Sequence, residues 1–247
     1  MGTLHCITID CADASKLSKF WSQALDGYAD DPSGMLARSE KGPMMYFQQV
    51  PEGKTAKHRV HLELAAHDRE KQVQRLMSLG ATKVQDFEQD GRQWTVMQDP
   101  EGGEFCIQQG QRETERPRLT EVVFDSGRSA KTARFWEAAL DGYAVRPYDD
   151  EEIARLAAKG ITDYLNDDPN VAVDHEGELP GVFFQAVPEP KTVKNRLHID
   201  IGAPAVDAEV ARLTALGATV VRKVSEHGMQ WTVMLDPESN EFCVCKV

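Results

Sequence analysis

Residues 93–106 read QWTVMQDPEGGEFC, and residues 230–243 read QWTVMLDPESNEFC. Each stretch ends in a Glu followed two residues later by a Cys: Glu104 and Cys106, Glu241 and Cys243. A carboxylate in a cavity can move protons, and a thiolate can share a zinc ion with imidazole and carboxylate. Matching imidazoles are His61 in RVHLEL (59–64) and His198 in RLHIDI (196–201). Strand periodicity sorts these residues by face. Val60, Leu62 and Leu64 point to the core and leave Arg59, His61 and Glu63 opposite. Phe105 and Ile107 do the same and leave Glu104, Cys106 and Gln108. In CITID (6–10), Ile7 and Ile9 go inward, leaving Cys6, Thr8 and Asp10. Gln48 joins the open face because its counterpart Gln185 is retained. One open face thus gathers Cys6, Gln48, His61, Glu104 and Cys106. The other gathers Glu121, Gln185, His198, Glu241 and Cys243.

Each of these side chains also has a structural reading. A strand histidine can be a buried group satisfied by hydrogen bonds, and a strand cysteine a small hydrophobe. Glu104 and Glu241 could move a proton or could hold the hairpin after the DPE turn. Trp94 and Trp231 could wall a flat ligand or fill the core. In K-T-x-K-x-R (Lys54, Lys57, Arg59; Lys191, Lys194, Arg196), the lysines read as a solvated strand edge. Arg59 and Arg196 share a face with the histidines and could bind an anion.

The elements that position these residues are written twice. FWSQALDGY (20–28) returns as FWEAALDGY (135–143), and MYFQQVPEGKTAKHRVHLEL (45–64) returns as VFFQAVPEPKTVKNRLHIDI (182–201). The spacing between copies rises from 115 to 137 residues, so the second copy holds a 22-residue insert at about 144–166. The boundaries expected are 1–110 and 117–247, joined by the polar QRETERPR (111–118). ASKLSKFWSQAL (14–25) has an apolar helical stripe after an Asp13 cap. REKQVQRLMSLG (69–80) predicts a second helix stopped by Gly80. DDEEIARLAAKG (149–160) in the insert predicts a short helix capped by Asp149 or Asp150, either a lid over a cup or cover for a sheet edge. Strands are expected near 35–38, 44–50, 59–64, 82–87, 93–98 and 104–108. Each half of a copy is therefore βαβββ, an α+β arrangement in which helices cover one sheet face and the other lines a concavity.

The bulk composition narrows the function classes. The 247 residues carry a formal charge of −12, which argues against a broad nucleic-acid footprint. No apolar run is long enough to span a bilayer. The five cysteines form no C-x-x-C pair and are odd in number, which points to a reducing, cytoplasmic setting.

Paired βαβββ halves, the strand-borne HLELAAHD (61–68) and the closing D-P-E-G-x-E-F (99–105) resemble the vicinal oxygen chelate superfamily. That superfamily includes glyoxalase I, extradiol dioxygenases, and fosfomycin resistance and bleomycin-binding proteins. FW-x-x-ALDGY, VPE-x-KT-x-K-x-R and W-T-V-M-x-DPE-x-x-EFC resemble more closely its bacterial glyoxalase-like subfamily. The resemblance implies cups built from two βαβββ modules, with a divalent metal held from the first and fourth strands of each module. Carried over, the first strand gives Cys6 or Glu121, the fourth Gln48 or Gln185, the next His61 or His198. The last gives Cys106 or Cys243, where metal-binding members have Glu. Glu104 and Glu241 lie two residues early, about 6–7 Å along the strand. A zinc, nickel, manganese or iron ion therefore has Glu121, Gln185, His198 and His61 as candidate ligands, and no cofactor is assigned. Three functions follow from the resemblance. The first is a small-molecule binder serving resistance or detoxification, with His61, Gln48, Cys106, Arg59, Trp94, His198, Gln185, Cys243, Arg196 and Trp231 as ligand contacts. The second is a metal-dependent lyase, isomerase or dioxygenase using Glu104 or Glu241. The third is a non-catalytic scaffolding domain. The expected partner is a small molecule, not nucleic acid or membrane, on a monomer or a homodimer.

Overall fold

The computed structural model describes residues 1–89, 91–177, 179–226 and 229–247. The chain folds as four modules. Module 1 comprises β1 (Thr3–Cys11), α1 (Ala14–Ala24), β2 (Tyr28–Asp30), β3 (Leu36–Ser39) and β4 (Met44–Gln49). Module 2 comprises β5 (Val60–Ala66), α2 (Arg69–Ser78), β6 (Thr82–Gln89), β7 (Arg92–Gln98) and β8 (Glu104–Gln109). Module 3 comprises β9 (Arg118–Ser126), α3 (Ser129–Ala139), β10 (Tyr143–Val145), α4 (Asp150–Ala158), α5 (Tyr164–Asp167), β11 (Asn170–His175) and β12 (Gly181–Ala186). Module 4 comprises β13 (Leu197–Ala203), α6 (Val206–Ala215), β14 (Thr219–Glu226), β15 (Met229–Leu235) and β16 (Glu241–Lys246). The three-residue β2 is too short to leave a periodic signal, and its pairing with β3, from Tyr28 on Ser39 to Asp30 on Ala37, makes it a strand.

The local signals act where the sequence puts them. Asp13 and Asp68 accept the Lys16 and Lys71 amides at 3.0 Å and cap α1 and α2. Asp149 caps α4 by accepting the Glu152 amide at 2.8 Å. Gly80 ends α2 and Gly160 ends α4, at φ +109° and +81°, where a Cβ would be strained. Beyond α4, the insert's α5 packs on α3, and Arg134 donates to the Leu165 carbonyl at 2.8 Å.

Two eight-stranded mixed sheets result, and each crosses the copies. One runs β14-β15-β16-β13-β1-β4-β3-β2 and joins modules 1 and 4. The other runs β10-β11-β12-β9-β5-β8-β7-β6 and joins modules 2 and 3. The seams are antiparallel, β1 on β13 and β5 on β9, while β1–β4, β5–β8, β9–β12 and β13–β16 are parallel. The helix layer is organised differently. Trp21 of α1 meets Phe105 of β8 edge-on at 5.2 Å, and Trp136 of α3 meets Phe242 of β16 at 5.2 Å. So the aromatic clusters pack within each copy while the sheets form between copies. Trp21, Trp136, Phe47, Phe105, Phe124, Phe184 and Phe242 are all under 2 % or at 2 % exposure. Among the described residues no helix is long and apolar enough to cross a membrane.

Candidate functional site

The seams decide which first strand faces which histidine. In the module 2–3 sheet, Glu63 lies directly opposite Glu121 and beside Cys106. In the module 1–4 sheet, Asp200 takes the place of Glu63, opposite Cys6 and beside Cys243. His61 and His198 stand two residues earlier on β5 and β13. Each cup therefore holds an imidazole, a carboxylate and a thiol, with Glu121 as the fourth group in one and Cys6 in the other. Donor atoms of His61, Glu63 and Cys106 lie within 4.8 Å of one another, as do those of His198, Asp200 and Cys243.

The two cups differ in their internal bonding. In the module 1–4 cup, Thr8 donates to Asp200 Oδ2 at 2.7 Å, while Asp200 Oδ1 stands 3.3 Å from His198 Nε2. Cys243 Sγ is 3.5 Å from the same nitrogen. Burial, then the Asp200 carboxylate, pushes the Cys243 and Cys6 thiols up. In the module 2–3 cup, His61 Nε2 is 3.8 Å from Glu63, and burial followed by Glu63 pushes the Cys106 thiol up. Burial also raises the Glu121 carboxyl, against the opposing pull of Arg146. Arg146, from the insert, grips Asp174 at 2.6 and 2.9 Å and reaches Glu121 at 3.3 Å. Gly181 stands opposite Glu121 on β12. A Cβ there would come within 3.0 Å of Asp174 Oδ1, so the glycine leaves room for this network.

Other residues singled out in the sequence lie elsewhere. Gln48 and Gln185 pair in register with Asp10 and Asp125, four residues along from Cys6 and Glu121. Gln48 is exposed and donates to its neighbour's carbonyl. Glu104 accepts Lys54 Nζ at 2.7 Å and the His58 amide at 3.1 Å. Glu241 accepts Lys191 Nζ at 2.8 Å and the Asn195 amide at 3.2 Å. Both oxygens of each carboxylate are thus tied to the K-T-x-K-x-R segment. Trp94 is half-buried and stacks on Phe87 at 5.4 Å, in register with Gln108 at the cup's side. Trp231 occupies the corresponding place opposite Cys245. Arg59 and Arg196 bond to backbone carbonyls at the junction of the sheets. Sequence reasoning omitted Glu63, Asp200 and Arg146 from the site. The alternation that exposed His61 also exposed Glu63, but Arg146 is brought in only by the pairing of β10 with β11.

Position by position, the fourth strands supply no donor beside the cluster: Gly181 faces Glu121 and Met44 faces Cys6. The cluster itself fits an ion of the zinc class, which takes nitrogen, sulfur and carboxylate oxygen together. Among the described residues, Asp200 Oδ1 and the Nδ1 atoms of His61 and His198 are buried without a hydrogen-bond partner. A cation would satisfy the first, whereas metal-bound imidazoles ordinarily anchor their second nitrogen.

The family model for the glyoxalase-like domain matches residues 6–108 and 121–245. Glyoxalase I from Zea mays superposes with a TM-score of 0.64 at 16% identity, covering 100% of this chain and 92% of that one. A putative dioxygenase from Bacillus subtilis superposes with a TM-score of 0.63 at 12% identity, covering 99% and 84%. At these identities the likeness is one of fold. No curated protein matches the sequence.

Proposed function

Because the chain belongs to the glyoxalase-like domain family, we propose that it binds a small oxygen-bearing molecule in the cup between modules 2 and 3. The observation that supports this most is the set of His61, Glu63, Cys106 and Glu121 gathered on one sheet face, with Arg146 half-exposed beside it. A site of this kind needs a shaped cup and a few convergent polar groups. Arg146 orients a carboxylate or carbonyl oxygen of the ligand by trading its hold on Glu121. Glu121 then receives or returns a proton at its carboxyl oxygen. The Phe87–Trp94 stack offers an aromatic wall at the side. The five unpaired cysteines support placing the protein in a reducing compartment such as the cytoplasm.

A second reading, a metal-dependent lyase, isomerase or dioxygenase, is favoured by one observation, the closeness of the His61, Glu63 and Cys106 donor atoms. Those three with Glu121 would hold a zinc-class ion, which supplies Lewis-acid polarisation of a ligand oxygen. Elemental analysis and thermal shift on wild type, His61→Ala, His198→Ala and Arg146→Gln test both readings. Flat or anionic compounds that stabilise wild type but not Arg146→Gln support the binding reading. Near-stoichiometric zinc lost in His61→Ala supports the metal reading. If all compounds act equally on every variant, the cup is not the binding site.

A further inference from the structure

The duplicated K-T-x-K-x-R segments, which neither cup uses, meet each other. Segment 52–59 and segment 193–196 enclose a cavity of about 210 Å³ where β5 and β13 begin. The two arginines lining it repeat each other's bonding atom for atom. Arg59 Nη1 donates to the Glu189 carbonyl and Arg196 Nη1 to the Glu52 carbonyl, both at 2.7 Å. Arg59 Nη2 donates to the Asp125 carbonyl and Arg196 Nη2 to the Asp10 carbonyl, both at 2.9 Å. Carbonyl oxygens satisfy N–H groups but leave the charge uncompensated. Among the described residues neither guanidinium has a carboxylate partner. Lys57 and Lys194 also line the cavity, paired with Asp125 and Asp10 respectively, and each lysine side chain is more than half exposed. Against the two arginines stands one lining carboxylate not already engaged, the exposed Glu52.

Among the described residues, two nitrogens in this wall lack partners. His58 is 9% exposed, with Nδ1 3.8 Å from Glu104 Oε2 and Nε2 without a hydrogen-bond partner among the described residues. Arg59 Nε is likewise buried and unpartnered. The counterpart of His58 in the second copy, Asn195, is satisfied by Asn240 at 3.0 Å. Cross-ties between chain segments would account for the Nη bonds. They do not account for a guanidinium N–H left buried beside a cavity, a costly arrangement unless something accepts from it.

We propose that this cavity binds a small oxyanion of the phosphate class, held by Arg59, Arg196, Lys57 and Lys194, with the His58 ring in the wall as its reporter. Guanidinium donors match the oxygens of such anions. The volume admits the anion together with several waters, at about 30 Å³ each. An anion there touches segments from both copies and therefore stabilises their association by mass action.

The test uses the full chain with inorganic phosphate, titrated against chloride at constant ionic strength, read by side-chain NMR of the histidines. The His58 resonance is assigned by its loss in His58→Asn, the residue the second copy carries. The expected result is a saturable shift of His58, with His61 and His198 unmoved, and a loss of affinity of about tenfold in Lys57→Gln or Lys194→Gln. Absence of a saturable His58 shift below about 10 mM phosphate, the weak end of specific binding, overturns the proposal. So does a shift confined to His61 or His198, which would place the anion in a cup. The wild-type titration decides the matter even where a lysine variant folds poorly.

Discussion

At the residue scale, Asp99 and Asp236 have the same job in the two DPE turns. Asp99 Oδ1 accepts the Glu101 and Gly103 amides at 2.9 and 2.8 Å, and Asp236 Oδ1 accepts those of Glu238 and Asn240. Burial raises the Asp99 carboxyl to about 6. A folded value above the unfolded one means the native state holds the proton more tightly. The associated stability is full below about pH 4 and is lost as pH rises through 6, amounting to about 3 kcal/mol. Asp99→Asn retains an oxygen for both amides. Chemical denaturation between pH 4 and 7 should show wild type losing stability relative to this variant. Parallel pH curves would rule out Asp99 as the source. Of the cup residues, His61, Cys106, His198 and Cys243 were legible in the sequence because strand alternation alone decides their face. Gln48 and Gln185 share a face with the first-strand residues, but alternation says nothing of distance along the strand. That distance is set by the parallel register, which places them beside Asp10 and Asp125.

At the scale of elements, the repeated W-T-V-M-x-DPE-x-x-EFC stretch is a set of ties. Its first Glu reaches a helix start: Glu101 accepts the Ala12 and Asp13 amides at 2.7 Å, ahead of α1. Glu238 accepts the Gly127 amide at 3.0 Å and the Ser126 hydroxyl, ahead of α3. Its second Glu holds the K-T-x-K-x-R loop. Glu101→Ala should destabilise the chain by about 1 kcal/mol, the usual cost of a lost cap at a partly exposed site, measured as a fall in denaturation midpoint with unchanged slope. An unchanged midpoint would mean water replaces the carboxylate without loss. The starts of α1 and α4 could be read directly, α4 to within Asp149 or Asp150, because Asp13 and Asp149 act on amides three residues away. The ties could not, since Glu101 and Ala12 are 89 residues apart.

At the scale of the whole molecule, the repeat announced four βαβββ modules, and the choice of partners was left open because 1 with 2 and 1 with 4 satisfy the same alternation. The structure takes 1 with 4 and 2 with 3, while each copy keeps its own aromatic core. Separately expressed residues 1–112 would leave β1 and β5 without their seam partners β13 and β9. Since β5 is the counterpart of β13, sedimentation should show this fragment dimerising, with β1 of one chain on β5 of the other, a kind of pairing the intact chain makes within itself. A stable monomeric fragment would mean that the seams are dispensable. The crossing of the copies also bears on how the two cups came to differ. Cys6 and Glu121 are the same position in two descendants of one ancestral unit, and each now serves the other descendant's histidine. A mutation fixed in one copy is therefore inherited by half of one cup and cannot be confined to the cup of its own lineage. Specialisation of either cup therefore draws on one half of each copy, and because the two cups share no module, each half of a copy is free to diverge with its partner half in the other copy.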